Sequence, residues 1–172
     1  MILAAFRLCE RRQAEAGRAF RGEGARMAGG RWNPPGLAVV YTAGSLSLAS
    51  LELLAHFDSS TDMPDLVFFR VQFDERLVAG VDELPPNWRQ IPASSNTQLL
   101  GAAWWQSGRS AVLRVPSVII PSEDNFVLNP SHPDFKAITI EPPEPFSIDP
   151  RLWGETGGVS ERCAKKSNAV PH

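Results

Sequence analysis

A chain of 172 residues, 43% of them hydrophobic, is long enough for one domain with its own core and short for two. Its 17 Lys and Arg against 19 Asp and Glu leave a net charge of −2, which argues against nonspecific nucleic-acid binding by the chain as a whole. No stretch approaches the ~20 apolar residues of a membrane helix, and the apolar start breaks at Arg7, too early for a signal-peptide core, so a cytoplasmic protein is expected.

Phe6 and Leu8 flank Arg7 in an expected strand, from which an arginine can point inward to a cleft. Arg7 opens a run of seven early arginines, with Arg11, Arg12, Arg18, Arg21, Arg26 and Arg31. The run reads as a solvated, partly helical face or as a rim attracting an anionic ligand. Gly22 and Gly24 make half of a dinucleotide fingerprint without its strand-turn-helix frame, a weak signal. Glycines 29, 30 and 36 with Pro34 and Pro35 mark a structured loop that carries Arg31. Leu37 to Ala43 predicts a short buried strand, with Tyr41 near its end, where a phenol can face a cleft. Thr42 or Ser45 caps the helix that follows, Leu46 to about Phe57, whose leucines at 46, 48, 51, 53 and 54 predict burial nearly all round. Its narrow stripe of Ser45, Ala49, Glu52 and His56 lets the carboxylate emerge among small neighbours, and a carboxylate so placed needs a partner.

Further on, Leu66 to Phe73 alternates Val67, Phe69, Val71 and Phe73 against Phe68, Arg70 and Gln72, a strand with one apolar face. Pro85, Pro86 and Pro92 bracket a loop holding Trp88. A helix from about Thr97 to Ser107 is expected to be capped by Asn96 and stopped by Gly108, with Leu100 and Trp104 inside and one tryptophan of the Trp104-Trp105 pair half exposed. Ala111 to Pro121 reads as a strand broken at Pro116, kinked or at an edge there, which turns Ser117 toward a cleft; Ser117 reads equally as bonding a local carbonyl. Asn125 to Asn129 and Phe135 to Glu141 are expected strands joined by an Asn129–Pro133 turn, whose His132 reads as structural. Cys9 and Cys163 form no metal-spaced pair, and His56, His132 and His172 lack ligand spacing, so no metal is expected. The expected architecture is a single α+β domain over residues 1–152, a mostly antiparallel, split sheet with two or three helices. Residues 153–172 form a polar tail that a partner could order.

Taken singly, Arg31 reads as a loop arginine tying down carbonyls, Tyr41 as a core tyrosine with its hydroxyl satisfied, and Glu52 as a helix acid bonded to His56. Together, within 22 residues, they suit a phosphate-bearing ligand. Spacing alone names no reaction.

The series Gly29-Gly30-Arg31-Trp32-Asn33, Val39-Val40-Tyr41, Ala49-x-x-Glu52-x-Leu54-x-His56, Pro116-Ser117, Asn129-Pro130-x-His132-Pro133 and Asp149-Pro150-Arg151-Leu152 resembles the RES domain, a bacterial toxin family. The likeness spans roughly Phe6 to Leu152, and the ordered set is far more specific than any one motif. The resemblance implies an ADP-ribosyltransferase-like fold, NAD as a consumed substrate and an Xre-type antitoxin. That partner would carry a helix-turn-helix part for DNA and a segment that blocks the pocket. It also implies that Arg31, Tyr41, Glu52 and Ser117 carry the chemistry.

Those residues make chemical sense for NAD. A pyrophosphate favours an arginine fork among loop amides, which Arg31 offers, with Arg7 the next candidate to bind the nucleotide. A carboxylate such as Glu52 stabilises the positive charge that develops on ribose as nicotinamide leaves. Tyr41 can stack on the nicotinamide ring, and Ser117 can donate to its carboxamide or to a phosphate oxygen. The acceptor stays open. Water or phosphate would make the chain an NAD-cleaving enzyme, and a protein side chain would make it a mono-ADP-ribosyltransferase. A non-catalytic nucleotide-binding module is the third reading.

Overall fold

The computed structural model describes residues 1–15, 18–56 and 63–153. The expected tail from residue 154 onward, with Cys163 and His172, and the helix end expected at Phe57 lie outside these residues. In chain order the elements are β1 (Ile2–Glu10), α1 (Arg11–Glu15), α2 (Glu23–Ala28), β2 (Val40–Ala43), α3 (Leu46–Leu54) and β3 (Leu66–Asp74). There follow β4 (Val78–Ala79), α4 (Ser95–Ser107), β5 (Val112–Pro116), β6 (Asp124–Leu128), β7 (Thr139–Ile140) and β8 (Glu144–Phe146).

The strands form one sheet in the order β4-β5-β6-β2-β1-β3-β7, with β8 also paired to β3. Every pair is antiparallel except β4 with β5. β1 and β3 pair along nine residues, from Ile2 opposite Asp74 to Glu10 opposite Leu66. By contrast, β1 and β2 share a single register pair, Phe6 with Ala43. The sheet therefore opens at its centre, and this α+β fold is the split, mostly antiparallel one expected.

Alternation along the strands sets the core. Ala5, Val40, Val71, Phe73, Val112, Phe126 and Leu128 form one cluster. Leu113, Val115 and Val127, the alternate residues of β5 and β6, pack with Trp32, Val39 and Trp104 in another. β5 and β6 are thus buried on both faces, with α4 contributing Trp104 to the second. Trp105 on the same helix is only half-buried and donates from Nε1 to the Ala38 carbonyl at 3.2 Å.

Several elements differ from their sequence expectations for local reasons. α3 is not buried all round: only Leu48 and Ala49 are buried, against Phe6, Leu8 and Ala43, while Leu51 stays 37% exposed. One side of this short helix lies on the sheet and the other lies open. Ser45 is its cap, accepting from the Leu48 amide at 3.1 Å; Thr42 instead donates to the Phe126 carbonyl. α4 is capped by Ser94 rather than Asn96, since Ser94 Oγ accepts from the Asn96 amide. Gly108, at φ 58°, stops it as expected. β2 starts only at Val40, because the Leu37 and Ala38 carbonyls are taken by Asn33 and Trp105 side chains.

The strand expected over 111–121 ends at Pro116, because Ser117 Oγ accepts from the amides of Ile119 and Ile120 and turns the chain. The strand expected over 135–141 is cut to β7, because residues 133–137 form a 3-10 turn that takes its first part. Pro133 cannot join a ladder as donor, and His132 Nδ1 caps the Asp134 amide. His132 also bonds the Gly108 carbonyl through Nε2 at 2.9 Å, the structural role expected of it.

α4 presses on the loop before β2 through Gly101, where an added Cβ would overlap the Trp32 carbonyl oxygen. Gly101→Ala is expected to destabilise the fold by at least ~2 kcal/mol in denaturant unfolding, because neither backbone can yield. Gly80→Ala, where nothing lies within 4 Å, should stay within ~0.5 kcal/mol. Equal stability of the two variants would contradict this packing.

Candidate functional site

A cavity of about 850 Å³ sits where the sheet opens, lined from β1 by Arg7, from the loop before β2 by Gly30 and Arg31, and from β2 by Tyr41. α3 contributes Ala49 and Glu52, the turn after it His56, the Pro85–Pro92 loop Ile91, α4 Gln98, and β6 Asn125. That volume suits a nucleotide-sized ligand.

The Arg31 loop is built around Asn33, which has no exposed surface. Its Nδ2 donates to the carbonyls of Ala25, Pro34 and Leu37 at 2.8, 3.1 and 3.2 Å. Its Oδ1 accepts the Tyr41 hydroxyl at 2.8 Å, and that hydroxyl accepts the Trp32 amide at 3.0 Å. Gly30 is required beside it, since a Cβ there would lie 2.6 Å from the Tyr41 hydroxyl oxygen. From α4, Gln98 Nε2 donates to the Gly30 carbonyl at 3.0 Å.

Arg31, presented by this loop, donates from Nη1 to the carbonyls of Trp88 and Gln90 at 2.7 and 2.9 Å. It does tie down carbonyls, and it also lines the cavity, with Nε and Nη2 left over. Burial pulls its guanidinium below the usual arginine value, opposed by the charge of Glu52 and by Tyr41. Arg7 stands in the gap between β1 and β2, where its Nη1 donates to the Tyr41 carbonyl at 3.0 Å. The Arg7 Nε is buried with no partner among the described residues, and the guanidinium lies 5.9 Å from the Phe20 ring centroid. Burial lowers its pKa also, so both cations would gain from an anionic ligand. Arg11 and Arg12 pair with Asp65 and Glu10, while Arg7 and Arg31 of the early arginine run line the cavity.

Glu52 is fixed from the opposite wall. Its Oε1 accepts from Ser117 Oγ at 2.7 Å and from Asn125 Nδ2 at 2.6 Å. Both partners are neutral, and among the described residues no Lys, Arg or His nitrogen lies within ion-pair distance of the carboxylate. Its bonds go across to the turn after β5 and to β6 rather than along the chain to His56.

The four residues expected at the site are therefore placed differently. Arg31, Tyr41 and Glu52 line the cavity, as does Arg7. Ser117 is fully buried behind Glu52, its hydroxyl already engaged by Glu52 and the turn amides rather than free for a ligand. The Tyr41 hydroxyl is spent on the loop, and burial raises its pKa so that it remains a neutral donor. Asn125, Gln98 and the loop-organising role of Asn33 were not foreseen. Asn33 stood within the Gly-Gly-Arg-Trp-Asn motif, but nothing in the pattern of β6 marks Asn125.

Among the described residues no group of three or more His, Cys, Asp or Glu could hold a metal ion. No helix among them is long and apolar enough to cross a membrane.

The RES domain family matches residues 4–149. A Toxin Res of Yersinia enterocolitica is 38% identical over 136 residues, covering 77% of this chain and 90% of the relative. A Prs ADP-ribosylating toxin of a Sphingobium species is 38% identical over 136 residues, covering 76% and 84%. The fold is similar to that in the crystal structure of the M. tuberculosis MbcT-MbcA toxin-antitoxin complex, with a TM-score of 0.70 at 19% identity, covering 90% of this chain and 88% of that one. With a family match over most of its length and relatives at 38% identity, the chain belongs to the RES domain family.

Proposed function

We propose that the chain is the toxin of a bacterial toxin-antitoxin pair and consumes NAD by cleaving the nicotinamide-ribose bond, passing ADP-ribose to water or phosphate. The observation that carries this reading is the Glu52 carboxylate, with no cation of the described residues within bonding distance yet fixed at one oxygen by Ser117 and Asn125. As the C–N bond breaks, its electron pair neutralises the nicotinamide ring nitrogen and positive charge develops on the ribose. Glu52 stabilises that charge.

Arg31 and Arg7 hold the pyrophosphate, Arg31 through the nitrogens that its two carbonyl bonds leave over, oriented by those bonds. The Tyr41 ring stacks on nicotinamide, while its hydroxyl keeps the Arg31 loop in place. Ser117 acts through Glu52 as a positioning residue. Water or phosphate then attacks the ribose carbon and releases its proton to solvent.

A second reading, transfer of ADP-ribose to a specific protein, is favoured by the name of the Sphingobium relative. Either activity would harm the host, so an antitoxin partner follows. We assign it an Xre-type protein whose helix-turn-helix part contacts DNA and whose other segment covers the cavity. Ile91, 82% exposed on the lining, offers that segment apolar surface.

Purified chain mixed with labelled NAD should release nicotinamide and leave ADP-ribose or its phosphate ester, with no labelled protein band from cell extract. A labelled band would favour the second reading, and intact NAD in every arm would leave only a nucleotide-binding module.

Glu52→Gln should cut turnover by about 10² or more while leaving thermal unfolding and the KM for NAD nearly unchanged. Arg31→Ala should instead raise KM about tenfold or more. Wild-type rates in both variants would contradict the site.

The isolated chain, at net charge −2, should bind duplex DNA weakly even at low salt. Tight, salt-sensitive binding would refute the assignment of DNA contact to the partner.

A further inference from the structure

We infer that Asn125, on β6, is a positioning residue that sets the turnover of the Glu52 carboxylate, an inference that rests on the NAD-cleaving reading. The geometry of its amide supports this. Asn125 Nδ2 donates to Glu52 Oε1 at 2.6 Å, while its own Oδ1 is buried and has no donor among the described residues. A side chain serving packing alone would satisfy both ends. The opposite amide orientation would set a carbonyl oxygen against the carboxylate, so the orphaned oxygen is the consequence of keeping the donor on Glu52.

Two donors on Oε1 leave Oε2 without a partner among the described residues. The carboxylate is thereby anchored by one oxygen and offers the other to the ribose. The two anchors come from different strands: Ser117 follows β5, and Asn125 lies on β6 opposite Val115, two residues before Ser117. Asn125 also pairs with Ala43 of β2, so the anchor is rooted in the sheet rather than in a loop.

The test compares Asn125→Ala, Asn125→Asp and Glu52→Gln in NAD turnover, with a crystal structure of the Asn125→Ala protein. Asn125→Ala should lower kcat about 10- to 100-fold with KM for NAD within about threefold. Asn125→Asp, of equal size, should lower it further, because it sets one carboxylate oxygen against another. The crystal structure should show the Glu52 carboxylate swung off its wild-type position.

A kcat within threefold of wild type, or Asp no worse than Ala, would overturn the role of Asn125. The NAD reading would still stand so long as Glu52→Gln is inactive. If the wild-type protein leaves NAD intact, the NAD reading falls, and the turnover role of Asn125 falls with it. An unmoved carboxylate in Asn125→Ala would overturn the positioning itself, whatever the activity.

Discussion

The buried amide of Asn33 is the constraint on which the rest of the site depends. A loop with two prolines and three glycines has few backbone ladders of its own, and its carbonyls must find donors when buried. Asn33 supplies them to Ala25, Pro34 and Leu37 at once, and its oxygen takes the Tyr41 hydroxyl. One side chain thereby joins α2, the loop and β2. The loop is then clamped from the far side by α4, through Gln98 on Gly30 and the bare backbone of Gly101 on Trp32. Arg31 is held in place by a polar network whose members are nearly all satisfied, which is the condition under which such networks rigidify a site.

The opposite wall works by a different principle. Glu52 is held by a hydroxyl and an amide rather than by a cation. An arginine partner would hold the carboxylate as firmly but would cancel its charge. The two arginines of the cavity sit instead on the Arg31 loop and on β1, Arg31 bonded to carbonyls and Arg7 to one. Positive and negative groups are thus kept apart across a cavity, the arrangement wanted by a ligand that is anionic at its phosphates and turns cationic at its ribose during reaction. The opening between β1 and β2 creates the space, because strands sharing one register pair cannot close on each other.

How much of this was legible in the sequence depended on whether a feature was local. The glycine-proline loop, Tyr41 near a strand end, the small-residue stripe of α3 and the alternation of β3 are local patterns, and each has its counterpart in the fold. The break at Pro116 was legible too, but its consequence was not: Ser117 turns inward to Glu52 because its hydroxyl also accepts two amides of the next turn. Leucine content overstated the burial of α3, since composition does not tell which side of a short helix the sheet covers. Asn125 was invisible, for a lone asparagine at a strand start looks like any solvated residue until the strand order β5-β6-β2 brings it beside Glu52.

The account turns on NAD lying in the cavity with its ribose at residue 52, and the direct measurement is a crystal structure of Glu52→Gln soaked with NAD. The nicotinamide ribose should lie within ~3.5 Å of the residue 52 side chain, with the pyrophosphate on Arg31 or Arg7. NAD bound elsewhere, or turned so that its adenine end meets residue 52, would contradict it.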